Sequence, residues 1–421
     1  MEIWRWSQHD MKPQWYQMLD RNARRAFWTS FAGFSLDAMD VQLYAFVLPV
    51  LLTAWGLSHT EAGLLASATL VSSAAGGWIT GLLADRIGRI RVLKVTILWL
   101  AISTCLCGLA DNFGQLLVAR LLQGLGFGGE WAAGVVFVAE VVAPEIRGRA
   151  VGMVQSAWAV GWGMAAAISA FVLALAPPDL GWRITFVVGF LPAVLVYVYR
   201  TRLKESETFL KAGLRSSWHA IFSRSMAAAT IKGSLLATGM HGGYWAIATW
   251  WPVMLRSERG LSTTATSAYL AAIATASFFG YVSSAWLGDR IGRKATLVGF
   301  ALGGTLAVLA CTELQASNFG LLLLSFPLGF FALGMFSAIG PVLTELYPTE
   351  IRGSGLGFCY NFGRGMAGST PLLIGGSAAN IGISHAIGIY ATCAYGLVLL
   401  VTIFLPETRG QKLRSVSEAR S

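Results

Sequence analysis

Polar and apolar positions along this chain fall into long blocks. Runs of mostly apolar residues, about the ~20 needed for a helix to cross ~30 Å of hydrocarbon, alternate with short charged breaks. Stretches 91–110, 184–199 and 384–405 show this most plainly. Their apolar residues do not alternate with polar ones at a period of two, so helices are expected and short barrel strands are not. The pattern predicts twelve spans, at 26–54, 60–84, 91–110, 112–142, 147–176, 182–200, 233–255, 262–287, 294–312, 316–347, 351–380 and 384–405. The longest charged interval holds Lys204, Glu205, Glu207, Lys211, Arg215 and Arg224 and divides the spans six and six. The expected fold is an all-α membrane protein of two pseudo-symmetric six-helix bundles. Its parts are a tail at 1–25, bundles at 26–200 and 233–405 joined by a linker at 201–232, and a tail at 406–421.

Composition supports that reading. Of 421 residues, 55% are hydrophobic and only 12% charged, against about 25% charged in a soluble domain. The net charge of +10 would suggest nucleic acid in a soluble protein, but here its distribution matters more. With these spans, 26 of the 31 basic residues fall on the face bearing both termini. Arg183, Arg256 and Arg259 fall on the other face, and Arg120 and Arg364 lie inside spans. That asymmetry predicts cytoplasmic termini and removes the case for nucleic acid. Residues 1–25 are polar and basic, unlike a signal peptide. The five cysteines show no metal-ligand spacing and are expected to be buried, inert thiols within helices.

The chain also repeats itself. Asp85-Arg86-Ile87-Gly88-Arg89 recurs as Asp289-Arg290-Ile291-Gly292-Arg293, and Glu145-Ile146-Arg147-Gly148 as Glu350-Ile351-Arg352-Gly353. Glu140 and Glu345 keep the same register, as do Gly152 and Gly357. Two matches in register, each between equivalent spans, point to duplication.

These motifs resemble the major facilitator superfamily over essentially the whole chain. The Gly81 to Arg89 segment is similar to its GxxxDRxGR loop, and the second copy has Ala285 at the glycine position. Arg120 with Gly124, Gly126 and Gly128 resembles its fourth-helix motif, while Pro144 to Gly148 and Pro406 to Gly410 resemble further landmarks. Leu36-Asp37-Ala38-Met39-Asp40 is similar to the DGxD element of proton-coupled aromatic-acid symporters. Gly128-Gly129-Glu130-Trp131-Ala132 is similar to a run in sialate and related metabolite symporters. The resemblance implies secondary active transport.

Physical roles follow from position. Gly81 is expected to let helices approach closely. Asp85 and Asp289 are expected to cap the following elements. Arg86, Arg89, Arg290 and Arg293 are expected to reach carboxylates such as Glu140 and Glu345 across the seam between the halves, with Arg147 and Arg352 beside them, forming a gate. The glycines from Gly124 to Gly129 lie inside a span with no strand before them, so they are helix contacts and not a nucleotide cradle. With no Walker motif, no ATP, metal or other cofactor is expected, and the energy source would be an ion gradient.

Ionisable residues inside spans are costly and mark function. At ~1.5 Å per residue, Asp37, Asp40, Glu130, His241 and Arg364 all fall near mid-depth, where such transporters place their sites. Asp37, Asp40 and Glu130 are the proton-coupling candidates. Arg364 is the candidate anchor for a carboxylate, with Asn361, Tyr360, Tyr44, Trp131, His241 and Arg120 as further binding candidates. Trp250 and Trp251 are expected in an interfacial belt. The function expected is proton-coupled import of a small organic anion by a monomer in a bacterial inner membrane. A proton-coupled efflux antiporter and a non-transporting nutrient sensor are the alternatives. No nucleophile–base pair suggests an enzyme.

Overall fold

Residues 14–142, 147–205, 218–348 and 351–408 are described by the computed structural model. Within them the chain makes twelve helical passes, which we number α1 to α12. In the N-terminal half these are α1 (Arg21–Ala54), α2 (His59–Ile87), α3 (Arg89–Gly108), α4 (Phe113–Val141), α5 (Arg147–Gln155 and Ala157–Leu175) and α6 (Pro178–Arg200). In the C-terminal half α7 (Ala227–Ser257), α8 (Thr263–Arg290) and α9 (Arg293–Glu313) come first. They are followed by α10 (Asn318–Pro327 to Phe336–Glu345), α11 (Arg352–Ala367 and Ser369–Ile381) and α12 (Ile383–Phe404). An even number of passes returns the chain to the face on which it began, here called the terminus face. The boundary of α7 lies six residues before the expected 233, and a short 3₁₀ turn, Trp218–Phe222, precedes it.

Local chemistry explains the starts. The Asp20 carboxylate accepts from the Ala23 amide at 2.6 Å, and Ser58 with Glu61 forms a capping box at the head of α2. Asn112, Ser262 and Ser317 cap α4, α8 and α10. Each supplies an acceptor to backbone amides that lack helical partners. The repeated Gly-Arg steps start α3 and α9 differently. Gly88 and Gly292 sit at φ values of 102° and 100°, a backbone that favours glycine, and neither has a side chain with which to cap. A carboxylate from a distant segment does it instead. Glu205 accepts from the Ile90 amide at 3.2 Å, and Glu407 accepts from the Arg293 and Lys294 amides at 3.0 and 3.1 Å. The duplication therefore extends to backbone conformation and to capping.

Three passes are broken. α10 widens into a π-helical turn, Leu328–Leu333, after Pro327. α11 breaks at Gly368, where Pro371 has no N–H to give the Ala367 carbonyl. α5 breaks at Ser156.

Nine of the helices among the described residues are long and apolar enough to cross a membrane. The other three, α4, α7 and α11, carry Arg120, Glu130, His241 and Arg364. Outward-facing Phe171, Leu195, Leu306, Phe319 and Ile403 are each more than two-thirds exposed, a surface suited to lipid and not to water. Cys393 is exposed as well, unlike Cys107, Cys311 and Cys359, so the expectation of uniformly buried thiols fails at that position.

The halves meet along α1–α7, α2–α11 and α5–α8. On the face away from the termini, α2 and α11 touch through glycine. A Cβ on Gly63 would lie 2.4 Å from the Pro371 oxygen, and one on Gly375 would lie 2.2 Å from the His59 oxygen. The Leu372 amide donates to Ser67 Oγ at 3.2 Å across the same seam. Trp250 and Trp251 are completely buried, and Trp250 Nε1 donates to the Pro371 carbonyl at 3.0 Å. They pack inside the protein, which corrects the interfacial-belt expectation: their position along α7 fits a belt, but the helix turns them inward.

Candidate functional site

A narrow cavity, with free room of only ≈ 20 Å³, lies between the halves. Phe127 comes from α4, Gln155 and Trp158 from α5, and Tyr281 and Phe336 from α8 and α10. α7 supplies His241, Tyr244 and Trp245, at the i, i+3 and i+4 spacing of one helix face, and α11 supplies Tyr360 and Arg364 in the same way. Seven of these ten side chains are aromatic and one is a formal cation. The Arg364 guanidinium lies 4.6 Å from the Phe127 ring centre and 5.0 Å from that of Tyr360. Both are cation–π distances. Its Nη1 has no hydrogen-bond partner, although the residue is only 2% exposed. A buried guanidinium left this way is costly without an anion.

Tyr360 and His241 join Arg364 in the cavity, as expected from sequence. Trp131 stands one layer back. Its ring stacks on Tyr360 at 3.9 Å and 10°, and its Nε1 donates to Gln155 Oε1 at 2.9 Å. His241 Nδ1 is 2.8 Å from the Ala237 carbonyl, and its ring meets Tyr360 and Phe336 edge-on.

Asn361, Tyr44 and Arg120 are not brought there. Asn361 points at α2, where a Cβ on Gly77 would come within 2.4 Å of its Oδ1. Tyr44 and Arg120 belong to a separate buried cluster within the N-terminal half. The Arg120 guanidinium lies 4.1 Å from the Tyr44 ring centre, and its Nη1 donates to Gln123 Oε1 at 2.6 Å. Gln123 Nε2 donates in turn to Thr104 Oγ1 at 2.8 Å, and Thr104 reaches Asp40 Oδ2 at 3.3 Å. A helix places residues at one depth in many directions, and depth was all the sequence supplied for these three.

The three mid-depth acids differ. Asp40 ends the chain just described, in a space kept open by Gly189. Asp37, three residues earlier, is 1% exposed and neither carboxylate oxygen has a hydrogen-bond partner. It lies within electrostatic range of Glu130, Asp40, Arg364 and Arg200. Glu130 is ion-paired. Arg200 Nη1 donates to its Oε2 at 2.9 Å and Arg200 Nη2 bonds to its Oε1. The same guanidinium donates to the carbonyls of Leu93 and Thr29. A side chain on Gly33 would collide with both partners. Arg200 read from sequence as a linker-side positive charge, because it ends a hydrophobic run; in the fold it is completely buried.

The expected gate is only partly within the described side chains. Those of Asp85, Arg86, Glu140, Arg147, Asp289 and Arg352 lie outside them. Arg293 Nη2 bonds Glu345 Oε1 at 3.1 Å, and Thr408 donates to the other oxygen of Glu345. All three belong to the C-terminal half, so this pair ties one half together and does not cross the seam as expected. Arg290 lies over its own helix neighbour Trp286 at 4.2 Å. Arg89 opens α3. A Cβ on Gly81 would meet nothing among the described residues within 4 Å, so the close approach expected there occurs elsewhere. It is found at Gly76, Gly124 and Gly128, which meet backbone of the facing helix.

Sequence reasoning missed Phe127, Gln155, Trp158, Tyr244, Trp245, Tyr281 and Phe336. The helical spacing of Tyr244 and Trp245 from His241 was a usable signal. The others needed the packing of six helices.

Comparison with known proteins places this architecture. The family model of the Major Facilitator Superfamily matches residues 30–288 and 271–420. A probable 4-methylmuconolactone transporter of Cupriavidus pinatubonensis is 37% identical over 409 residues, covering 96% of this chain and 95% of that protein. The niacin transporter NiaP of Acinetobacter baylyi is 30% identical, covering 92% and 95%. Among solved structures, the partially occluded inward-open xylose transporter XylE from E. coli superimposes with a TM-score of 0.76 at 18% identity, covering 94% of this chain and all of that one. The twelve passes, the duplicated halves and the buried charges at their interface are thus those of a multi-pass membrane transporter, and the chain belongs to the major facilitator superfamily.

Proposed function

We propose that this protein imports a small, flat organic acid together with protons, by alternating access, across a bacterial inner membrane with both termini in the cytoplasm. The observation that carries the reading is Arg364: a buried guanidinium with an unused N–H, set among aromatic rings in a cavity between the halves. A carboxylate supplies the missing acceptors in bidentate geometry, and the rings suit a planar body. The named substrates of relatives, 4-methylmuconolactone, niacin and cis,cis-muconate, agree with a small planar acid.

Asp37 is the proposed proton carrier. Its two oxygens have no protein donor, whereas Asp40 and Glu130 are hydrogen-bonded. An anion arriving at Arg364 would withdraw the cation's support from Asp37 and draw in a proton, so that proton and acid favour each other by the same factor. The test is uptake of labelled nicotinate and cis,cis-muconate into proteoliposomes under an imposed pH gradient. Arg364→Lys keeps the charge and loses the fork, so affinity should fall at least about tenfold. Asp37→Asn should abolish accumulation against a gradient while leaving substrate exchange intact. Unchanged binding in the first variant, or uphill uptake with normal proton dependence in the second, removes the corresponding assignment.

A further inference from the structure

Indole nitrogens fix the polarity of the cavity wall, because an indole N–H donates and cannot accept. Trp158 Nε1 lies 2.7 Å from the Tyr244 hydroxyl, so the Tyr244 oxygen is the acceptor there. Its own proton has no acceptor among the described residues. Trp131 Nε1 fixes Gln155 in the same way: the amide oxygen receives the indole, and Nε2 is left to donate to the Tyr360 hydroxyl. Trp245, on the same wall, has a buried Nε1 with no partner. His241 contributes one acceptor, Nε2, since Nδ1 must give its proton to the Ala237 carbonyl. Beyond the guanidinium of Arg364, the wall therefore presents two donors without a partner among the described residues, the Tyr244 hydroxyl and the Trp245 indole, the first held that way by Trp158.

We infer that the cavity selects acids with a second hydrogen-bond acceptor, such as a ring nitrogen, a lactone carbonyl or a second carboxylate, and that the Tyr244 hydroxyl, oriented by Trp158, is its donor. This rests on the proposed carboxylate site at Arg364 and adds a second subsite to it. Trp158 is a positioning residue, and its bond to Tyr244 joins α5 of one half to α7 of the other. A substrate spanning Arg364 and Tyr244 would bridge α11 and α7 of one half, taking the hydroxyl proton while the indole keeps its bond to the oxygen.

The test is binding of three acids to the purified full-length protein by calorimetry. Nicotinate and cis,cis-muconate carry a second acceptor; benzoate has nearly the shape of nicotinate and lacks one. Benzoate should bind about tenfold more weakly than nicotinate, the scale of one hydrogen bond. Tyr244→Phe should bring nicotinate down to the level of benzoate while leaving benzoate within about twofold. Equal wild-type affinities for benzoate and nicotinate overturn the inference, as does a Tyr244→Phe variant that weakens both equally. Trp158→Phe provides an independent check if Tyr244→Phe does not fold. With the indole gone, the Tyr244 hydroxyl is free to accept, so 3-hydroxybenzoate should gain on nicotinate relative to the wild type; an unchanged ratio counts against the inference. Binding that discriminates as described but is indifferent to Arg364→Lys overturns the carboxylate anchor and leaves Tyr244 standing. Failure of all three acids to bind removes both.

Discussion

Asp37 and Glu130 are acids at similar depth in the same half, and their surroundings give them different work. Glu130 is held through both oxygens by Arg200, and the pair is fully enclosed. Removing one member of a buried pair strands the other, at a cost of about 3–5 kcal/mol. Glu130→Gln should therefore lower the melting temperature of the detergent-solubilised protein markedly. Asp37 has no such bonds to lose, so Asp37→Asn should leave thermal stability near the wild-type value. A fluorescence melting series on the two variants reads the contrast directly. Equal melting temperatures would make Glu130 as expendable to the fold as Asp37 and reopen it as a proton carrier. Both acids were legible in the sequence as anomalies in a hydrophobic run. Which of them was already paired was not, because Arg200 lies seventy residues away in the chain.

At the scale of the helix, glycine positions separate by what faces them. A Cβ on Gly128 would lie 1.9 Å from the Ser73 carbonyl oxygen and 2.4 Å from the Gly77 nitrogen. Backbone cannot turn aside as a side chain can, so Gly128→Ala should separate α2 from α4, with an overpacking cost of about 1–3 kcal/mol. Gly81→Ala, at the head of the most recognisable motif, meets nothing among the described residues and should melt like the wild type. Folded yield and melting temperature of the two variants check this, and a destabilised Gly81→Ala protein would show that the motif glycine is packed after all. The small residue in the DGxD-like element of α1 makes a related point. Ala38 stands where that pattern has glycine, and across the contact Gly161 of α5 provides the space, since a Cβ there would be 2.0 Å from the Ser35 oxygen and 2.7 Å from the Ala38 methyl. The close approach at this crossing is therefore carried by Gly161. That pairing is invisible in either segment of sequence alone.

For the whole molecule, the contact between α2 and α11 closes a seam between the halves on the face away from the termini. With the backbones of Gly63 and Pro371–Leu372 this close, substrate reaches the cavity from that face only after the two helices separate. Cysteines introduced together at Ser67 and Leu372, whose hydroxyl oxygen and amide lie 3.2 Å apart, should cross-link on oxidation and stop uptake into proteoliposomes, and reductant should restore it. Full activity in quantitatively cross-linked protein would mean that this seam need not open. The Arg293–Glu345 tie, confined to the C-terminal half, is expected to act differently. Glu345→Gln should loosen that half and alter turnover, while substrate affinity stays within about a few-fold, because no member of the tie lines the cavity. A large loss of affinity with normal turnover would contradict this.

The sequence by itself determined the twelve passes, their grouping into two related halves and the presence of costly charges at mid-depth. Each of these follows from one-dimensional quantities. The length of an apolar run is set by bilayer thickness, duplication appears as register, and burial of a charge in a span is improbable without a use. It also identified Arg364, Tyr360 and His241, since a lone arginine in a span of small residues has little else to do. Tertiary structure alone decided which charges were already neutralised, which aromatic rings enclose the cavity and which way their hydrogen bonds run. Those depend on the rotation of each helix about its axis and on its neighbours, as with Trp250 and Trp251, turned inward, or Arg200, folded back onto Glu130. Side chains on six helices meet at the cavity, and their angular positions are fixed only when the helices pack.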